Sequence, residues 1–223
     1  MMWHLSLPFT AVLLGFFLAA LLKSRTTAQT KLLLAFSGAF LLSAVVSEFL
    51  PEIFDDDLAH PGGFLLLGVL FQIVLEFFSK GAEHGHIHST SNRGFPVLLF
   101  ISLCLHAYLE GMPLQEGSGM IYGIAVHKLP IAFIFTGFLL NSGYGWIKSL
   151  GVMLIFALMS PLGSLTADFA SFSNPVMLAI KAVVAGVVLH VSTTLILEAS
   201  EAHKFNLVKV AVMIIGGLLG YFL

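Results

Sequence analysis

Long apolar stretches, each closed by a short polar connector, repeat from one end of the chain to the other. Eight of them approach the roughly 20 residues that a helix needs to cross about 30 Å of hydrocarbon. They run over about 5–22, 32–53, 62–79, 94–114, 118–140, 146–168, 175–198 and 205–223. The connectors carry turn chemistry, as in Pro61-Gly62-Gly63, Gly117-Ser118-Gly119, Asn141-Ser142-Gly143 and Ser173-Asn174-Pro175. The sixth stretch is the weakest, interrupted by Ser160-Pro161 and closed by Asp168. The pattern predicts an all-α integral membrane protein of eight transmembrane helices, forming a single transmembrane domain over residues 1–223 with a polar loop at 80–93.

Composition agrees with the pattern. Of 223 residues, 58% are hydrophobic and 10% are Asp, Glu, Lys or Arg, against about a quarter charged in a soluble domain. The mean hydropathy is +0.99, so a water-soluble protein is set aside. A net charge of −2 offers no electrostatic footprint for nucleic acid. One cysteine, Cys104, leaves no internal disulfide framework.

Basic residues are retained on the cytoplasmic side of membranes. With eight spans, Lys23, Arg25, Lys31, Lys80, Arg93, Lys148, Lys204 and Lys209 all fall on one side, eight of the ten Lys and Arg residues. The other connectors hold Asp55-Asp56-Asp57, Glu116 and Asp168. A multi-pass protein with both termini extracytoplasmic is expected, with loop 80–93 cytoplasmic. Positive charges follow the first apolar stretch rather than precede it, which suits an N-out first span better than a cleaved leader.

The two remaining basic residues, Lys128 and Lys181, lie inside spans. Charges there face a cavity or a partner. Lys181 is near enough to the end of its span to snorkel, whereas Lys128 is not. Span 4 places His106 and Glu110 four residues apart, on one helical face. Span 5 carries His127, Lys128 and Pro130. Counting from the turn at Glu116-Gly117, His106 and His127 lie the same ten or eleven residues away, which is about 15 Å of helix and close to mid-membrane. Two imidazoles and a carboxylate at one depth suit a Zn²⁺-like ion. A lone intramembrane His is more often a hydrogen-bonded packing residue; the matched depth of three groups weighs against that here. Gly111-Met112-Pro113 and Leu129-Pro130 put helix breakers just beyond the ligands, and freed carbonyls at such breaks help a cation pass.

At these residues the chain resembles the ZIP (Zrt/Irt-like protein) family of divalent metal transporters. His106-Ala-Tyr-Leu-Glu110-Gly is similar to the family's fourth-span H-x-x-x-E-G, and His127-Lys128 with Pro130 to the branch reading H-K in span 5. Weaker echoes are Glu48-Phe-Leu-Pro51-Glu52, Ser160-Pro-Leu-Gly163, the segment from His190 to Glu198, and the His-bearing loop with Glu83, His84, His86 and His88. The resemblance implies inverted three-helix repeats enclosing spans 4 and 5, a 3+2+3 arrangement. It also implies alternating access and transport of a dication, zinc first, with Cd²⁺, Fe²⁺ or Mn²⁺ as other cargoes and no resident cofactor. Direction toward the cytosol rests on it alone. Where paired-site relatives carry further ligands, this chain has Ala107, Lys128, Ile131 and Ser160. A fixed ammonium repels a second dication, so a single ion on His106, Glu110 and His127 is expected. Lys128 then replaces the second metal and pairs with Glu110, or forms a structural ion pair; the two readings are compatible.

Further candidates line the route. Glu48, with Ser43 and Ser47 nearby, suits the outer side; Glu48 alternatively partners Lys128 or Lys181. Glu76 and His190, at similar depth, suit a relay on the inner side. The loop group Glu83, His84, His86 and His88 suits weak binding of dications or is a plain polar connector. Gly216-Gly217 and Gly220 allow close helix packing, a homodimer contact among the readings. Membrane lipid is the other expected partner. Competing readings are an intramembrane zinc-dependent hydrolase of ceramidase type and a proton-linked carrier of an organic substrate. There is no phosphate-binding glycine loop to suggest ATP as energy source, and a non-enzymatic role is expected.

Overall fold

In the computed structural model of the chain, the described residues are 3–22, 28–56, 58–79, 95–114, 117–198 and 207–222. They form helices joined by short turns, and no strand occurs among them. The helices are α1 (Trp3–Leu22), α2 (Ala28–Ala44, one π turn at Val45–Phe49, then Leu50–Asp55), α3 (Pro61–Ser79), α4 (Val97–Gly111), α5 (Met120–Asn141), α6 (Trp146–Ala170), α7 (Asn174–Glu198) and α8 (Leu207–Phe222). Six of these, all but α4 and α8, are long and apolar enough to cross a membrane. Their outward faces carry large apolar side chains, such as Leu66, Leu70 and Phe77 on α3 and Ile147, Ile155 and Leu162 on α6. In water such faces would be aggregation sites; here they face lipid, and the protein is a multi-pass membrane protein.

Two helices have fewer than 18 described residues, and α4 ends within its apolar stretch. α4 spans 15 residues and α8 spans 16. Pro96 precedes the first turn of α4, and the chain leaves the helix at Gly111, just before Pro113. Pro130 and Pro161 behave differently, since α5 and α6 run unbroken through them. The expected interruption of the sixth stretch at Ser160-Pro161 is therefore absent, and of the two breaks anticipated beside the ligands only the one in α4 occurs. A proline inside a helix removes one backbone hydrogen bond, freeing the carbonyl four residues earlier; for Pro130 that is Val126, next to His127. Tight packing tolerates the loss. The α1 backbone at Gly15 lies so close that an added Cβ would stand 2.6 Å from the Leu129 carbonyl oxygen. In α2 the strain of Pro51 is taken up differently, by the π turn just ahead of it, where the Leu50 N–H reaches the Val45 carbonyl five residues back.

Glycines set which helices touch. Gly111 of α4 lies against the Ser160 carbonyl of α6, and Gly163 of α6 against the Tyr108 carbonyl of α4. Gly68 of α3 meets Val183 of α7, and Gly186 of α7 meets Leu65 of α3. At each position a Cβ would overlap the facing backbone, so only glycine lets the helices approach this closely. Gly216 and Gly220 of α8 pack on Phe36 and Phe40 of α2, within the chain. The helices thus fall into two packed groups. In one, α1 packs on α5 and α6, and α4 on α6; in the other, α3 packs on α7, and α2 on α7 and α8. The groups meet where α2 touches α5 and where α3 touches α4.

The core has two main apolar clusters. One joins Val12 and Phe16 of α1 with Leu103, Ile131, Phe135, Met153 and Phe156. The other joins Leu41, Phe49 and Ile53 of α2 with Leu114, Ile121 and Ile124 and with Val184 and Val188 of α7. On α5, His127 sits between Ile124, a member of the second cluster, and Ile131, a member of the first.

Candidate metal site

α4 and α5 deliver the central groups. His106 and Glu110 share one face of α4, and the His106 Nε2 lies 2.8 Å from Glu110 Oε1. From α5, His127 Nε2 lies 4.0 Å from the same oxygen. The two imidazole rings stand edge to face at 6.0 Å. One ligand atom from each of the three residues falls within 4.8 Å of the others, and all three are buried.

Those separations suit an ion of zinc's size. Ligand bonds of about 2.0–2.1 Å in a tetrahedral set put ligand atoms about 3.3 Å apart. Of the three pairwise separations, the two to Glu110 Oε1 are 2.8 and 4.0 Å and the widest is within 4.8 Å, so the imidazoles close on an ion by side-chain rotations of about 1 Å. Zinc, cadmium and iron sites all use imidazole and carboxylate donors.

The second carboxylate oxygen is occupied. Lys128 Nζ donates to Glu110 Oε2 over 3.1 Å, and it also stands 5.1 Å from the centre of the Phe156 ring, within cation–π range. Both members of the pair are buried. Removing two charges from water is offset only when they are well paired; here the ammonium holds one carboxylate oxygen and the other faces the His106 imidazole.

A residue not singled out from sequence completes the arrangement. Gln72 of α3, 0% exposed, has Oε1 3.0 Å from His106 Nδ1. A glutamine within Leu70-Phe71-Gln72-Ile73-Val74 is a polar residue inside an apolar span, and that isolation was the available signal.

The remaining candidates separate into groups. Ser160 donates to the Ala107 carbonyl over 2.8 Å, which joins α6 to α4 rather than adding a ligand. Glu48 accepts from Ser118 in the α4–α5 connection at 2.6 Å, and it is on the side of α2 where Leu41 and Ala44 meet Gly123 of α5. Ser43 and Ser47 are not brought to that side. Ser43 packs against Gly220 of α8, and the exposed Ser47 donates to the Ser43 carbonyl over 2.8 Å. Lys181 pairs with Glu52 at the end of α2, not with Glu48. Glu76 of α3 and His190 of α7 come together, Oε2 to Nε2 at 2.7 Å. Glu76 lies one turn along α3 from Gln72. Glu83, His84, His86 and His88 lie outside the described residues.

No protein-family model matches the chain, and no curated protein matches it significantly. The reading of the site therefore stands on these residues.

Proposed function

We propose that the protein is a ZIP-type transporter of a divalent cation, zinc in the first instance, which it carries through one buried site. The observation that carries the proposal is the convergence of His106, Glu110 and His127, with ligand atoms within 4.8 Å, between apolar layers in the interior of membrane helices. Intramembrane ionisable groups are costly unless they serve a pathway or a partner. Three such groups from two helices on one point describe a binding site for a cation.

The charges support a single ion. Glu110 is neutralised by Lys128 at one oxygen and presents the other to the imidazoles. Two neutral imidazoles and half a carboxylate bind a dication without caging it, as a carrier requires. A second dication would stand against the ammonium. Zinc and cadmium suit this donor set better than manganese.

The helix contacts support alternating access. Exchanging α1 with α6, α2 with α7, α3 with α8 and α4 with α5 turns the α1–α5 pair into the α6–α4 pair, and the α3–α7 pair into the α8–α2 pair. That symmetry is the one expected of inverted repeats, with α4 and α5 enclosed by two three-helix units. On this reading all eight helices span the membrane, and both termini lie outside the cytoplasm. The α1, α4, α5 and α6 group carries the ion and shifts against the α2, α3, α7 and α8 group. Glu48 then lies on the outer side of the site and Glu76–His190 on the cytoplasmic side, and transport runs toward the cytosol.

A metallohydrolase on the same ligands needs a general acid or base beside a metal-bound water. Lys128 is committed to Glu110, and apolar clusters flank the site, so the geometry favours a carrier over an enzyme. The binding test uses full-length protein with His84, His86 and His88 changed to Ser. One Cd²⁺ per chain, lost in His106→Ala, supports the proposal. Absence of binding, or binding that survives that change, contradicts it.

A further inference from the structure

Gln72 calls for its own explanation. α3 turns most of its residues outward, yet this amide is fully buried, and an amide in apolar surroundings is unfavourable unless its hydrogen bonds are made. Its Oε1 faces His106 Nδ1 at 3.0 Å. With the amide oxygen toward the ring, the tautomer that completes this bond is the one whose Nδ1 carries the proton and donates it. A ligand imidazole is neutral and has one N–H, so with that proton on Nδ1 it is Nε2 that offers its lone pair, on the side where Glu110 Oε1 lies 2.8 Å away.

We propose that Gln72 is the positioning residue of the site. By accepting the Nδ1 proton it holds His106 in the tautomer whose Nε2 faces Glu110 and His127, and it raises the basicity of that nitrogen toward a dication. Outer partners of ligand imidazoles act in this way, and their loss lowers metal affinity by about 10–100-fold. The inference rests on the metal-ion reading of the site. It also has a consequence for the cycle. Gln72 belongs to α3 and His106 to α4, helices of different packed groups that touch here. When the groups move apart the Nδ1 bond is lost, the ring is freed and affinity falls, so docking of α3 on α4 and tight binding are one event.

Nitrogen-15 NMR of the metal-free full-length protein reads the proton on His106 Nδ1 directly, with the resonance assigned by difference against His106→Gln. The expected result is a protonated Nδ1 in wild type and in Gln72→Glu, whose carboxylate accepts the same bond, with that fixed proton lost in Gln72→Leu. In the background lacking the three loop histidines, Cd²⁺ affinity should fall by about 10–100-fold in Gln72→Leu and be retained in Gln72→Glu. A bare Nδ1 in wild type, or unchanged affinity in Gln72→Leu, overturns the inference. Should Gln72→Leu fail to fold, the wild-type spectrum and the Gln72→Glu affinity decide it. Wild type that binds no Cd²⁺ contradicts the metal reading, while the spectrum still decides whether Gln72 sets the tautomer.

Discussion

Two lysines inside membrane helices each pair with a glutamate, and the pairs differ in what surrounds them. Lys181 reaches Glu52 in the last stretch of α2, where the carboxylate is 41% exposed. Lys128 reaches Glu110, which is 0% exposed and has one imidazole at 2.8 Å and another at 4.0 Å. In the first pair the ammonium is buried rather than snorkelling to water, and it needs no explanation beyond being neutralised by a carboxylate that keeps one side in solvent. The second pair leaves one carboxylate oxygen facing two imidazoles, in a place where water does not help. The difference teaches that an ion pair in a membrane helix marks function through the atoms it leaves over, not through its own existence.

Breaking the central pair has the largest expected effect. Glu110→Ala removes a ligand and strands a buried ammonium, a change that costs about 3–5 kcal/mol. Metal uptake should vanish, and the thermal midpoint in detergent should drop by on the order of 10 °C. His127→Ala removes a ligand but no charge partner. It should reduce uptake by at least the roughly 10–100-fold that losing an outer partner costs while the midpoint stays within a few degrees, a split that a mere packing histidine would not show. Lys128→Glu sharpens the comparison further. In the background lacking the three loop histidines, replacing the ammonium by a carboxylate should raise bound Cd²⁺ from one to two per chain, counted by elemental analysis, because repulsion of a second dication is relieved. Lys181→Met should do least. Glu52 keeps its contact with water once the ammonium is gone, so uptake should stay near wild type and stoichiometry should stay at one. Equal losses from Lys181→Met and from Lys128 variants would erase the distinction between the pairs.

Much of the centre was legible in the residues themselves. Helical spacing of four put His106 and Glu110 on one face, and counting from the Gly117 turn put His127 at the same depth. Charge inside an apolar helix demanded a partner for Lys128 and left Glu48 and Glu110 open; Glu110 came from the family resemblance, and it is the partner found. What escaped depended on contacts between distant segments. Nothing local to Gln72 says which neighbour its amide meets; that is decided by Gly68 and Gly186 drawing α3 onto α7, and by α3 lying against α4. The serines of α2 misled for a related reason. Ser47 and Glu48 are adjacent in a helical turn, so their side chains diverge and they could not both share a face with Ser43. Prolines misled too, since Pro130 and Pro161 are carried by close packing while Pro51 is absorbed by a π turn. Local sequence signals a weak point in a helix, but tertiary contacts decide whether it breaks.

The most direct test of the central claim is Zn²⁺ influx into proteoliposomes that carry a zinc-sensitive fluorophore inside, under an imposed metal gradient. Wild type, His106→Ala and His127→Ala are compared, each shown to be folded in detergent. The account predicts influx in wild type and its loss in both variants. Influx that survives both changes would contradict the proposed site, and folded wild type that moves no metal would contradict the transporter.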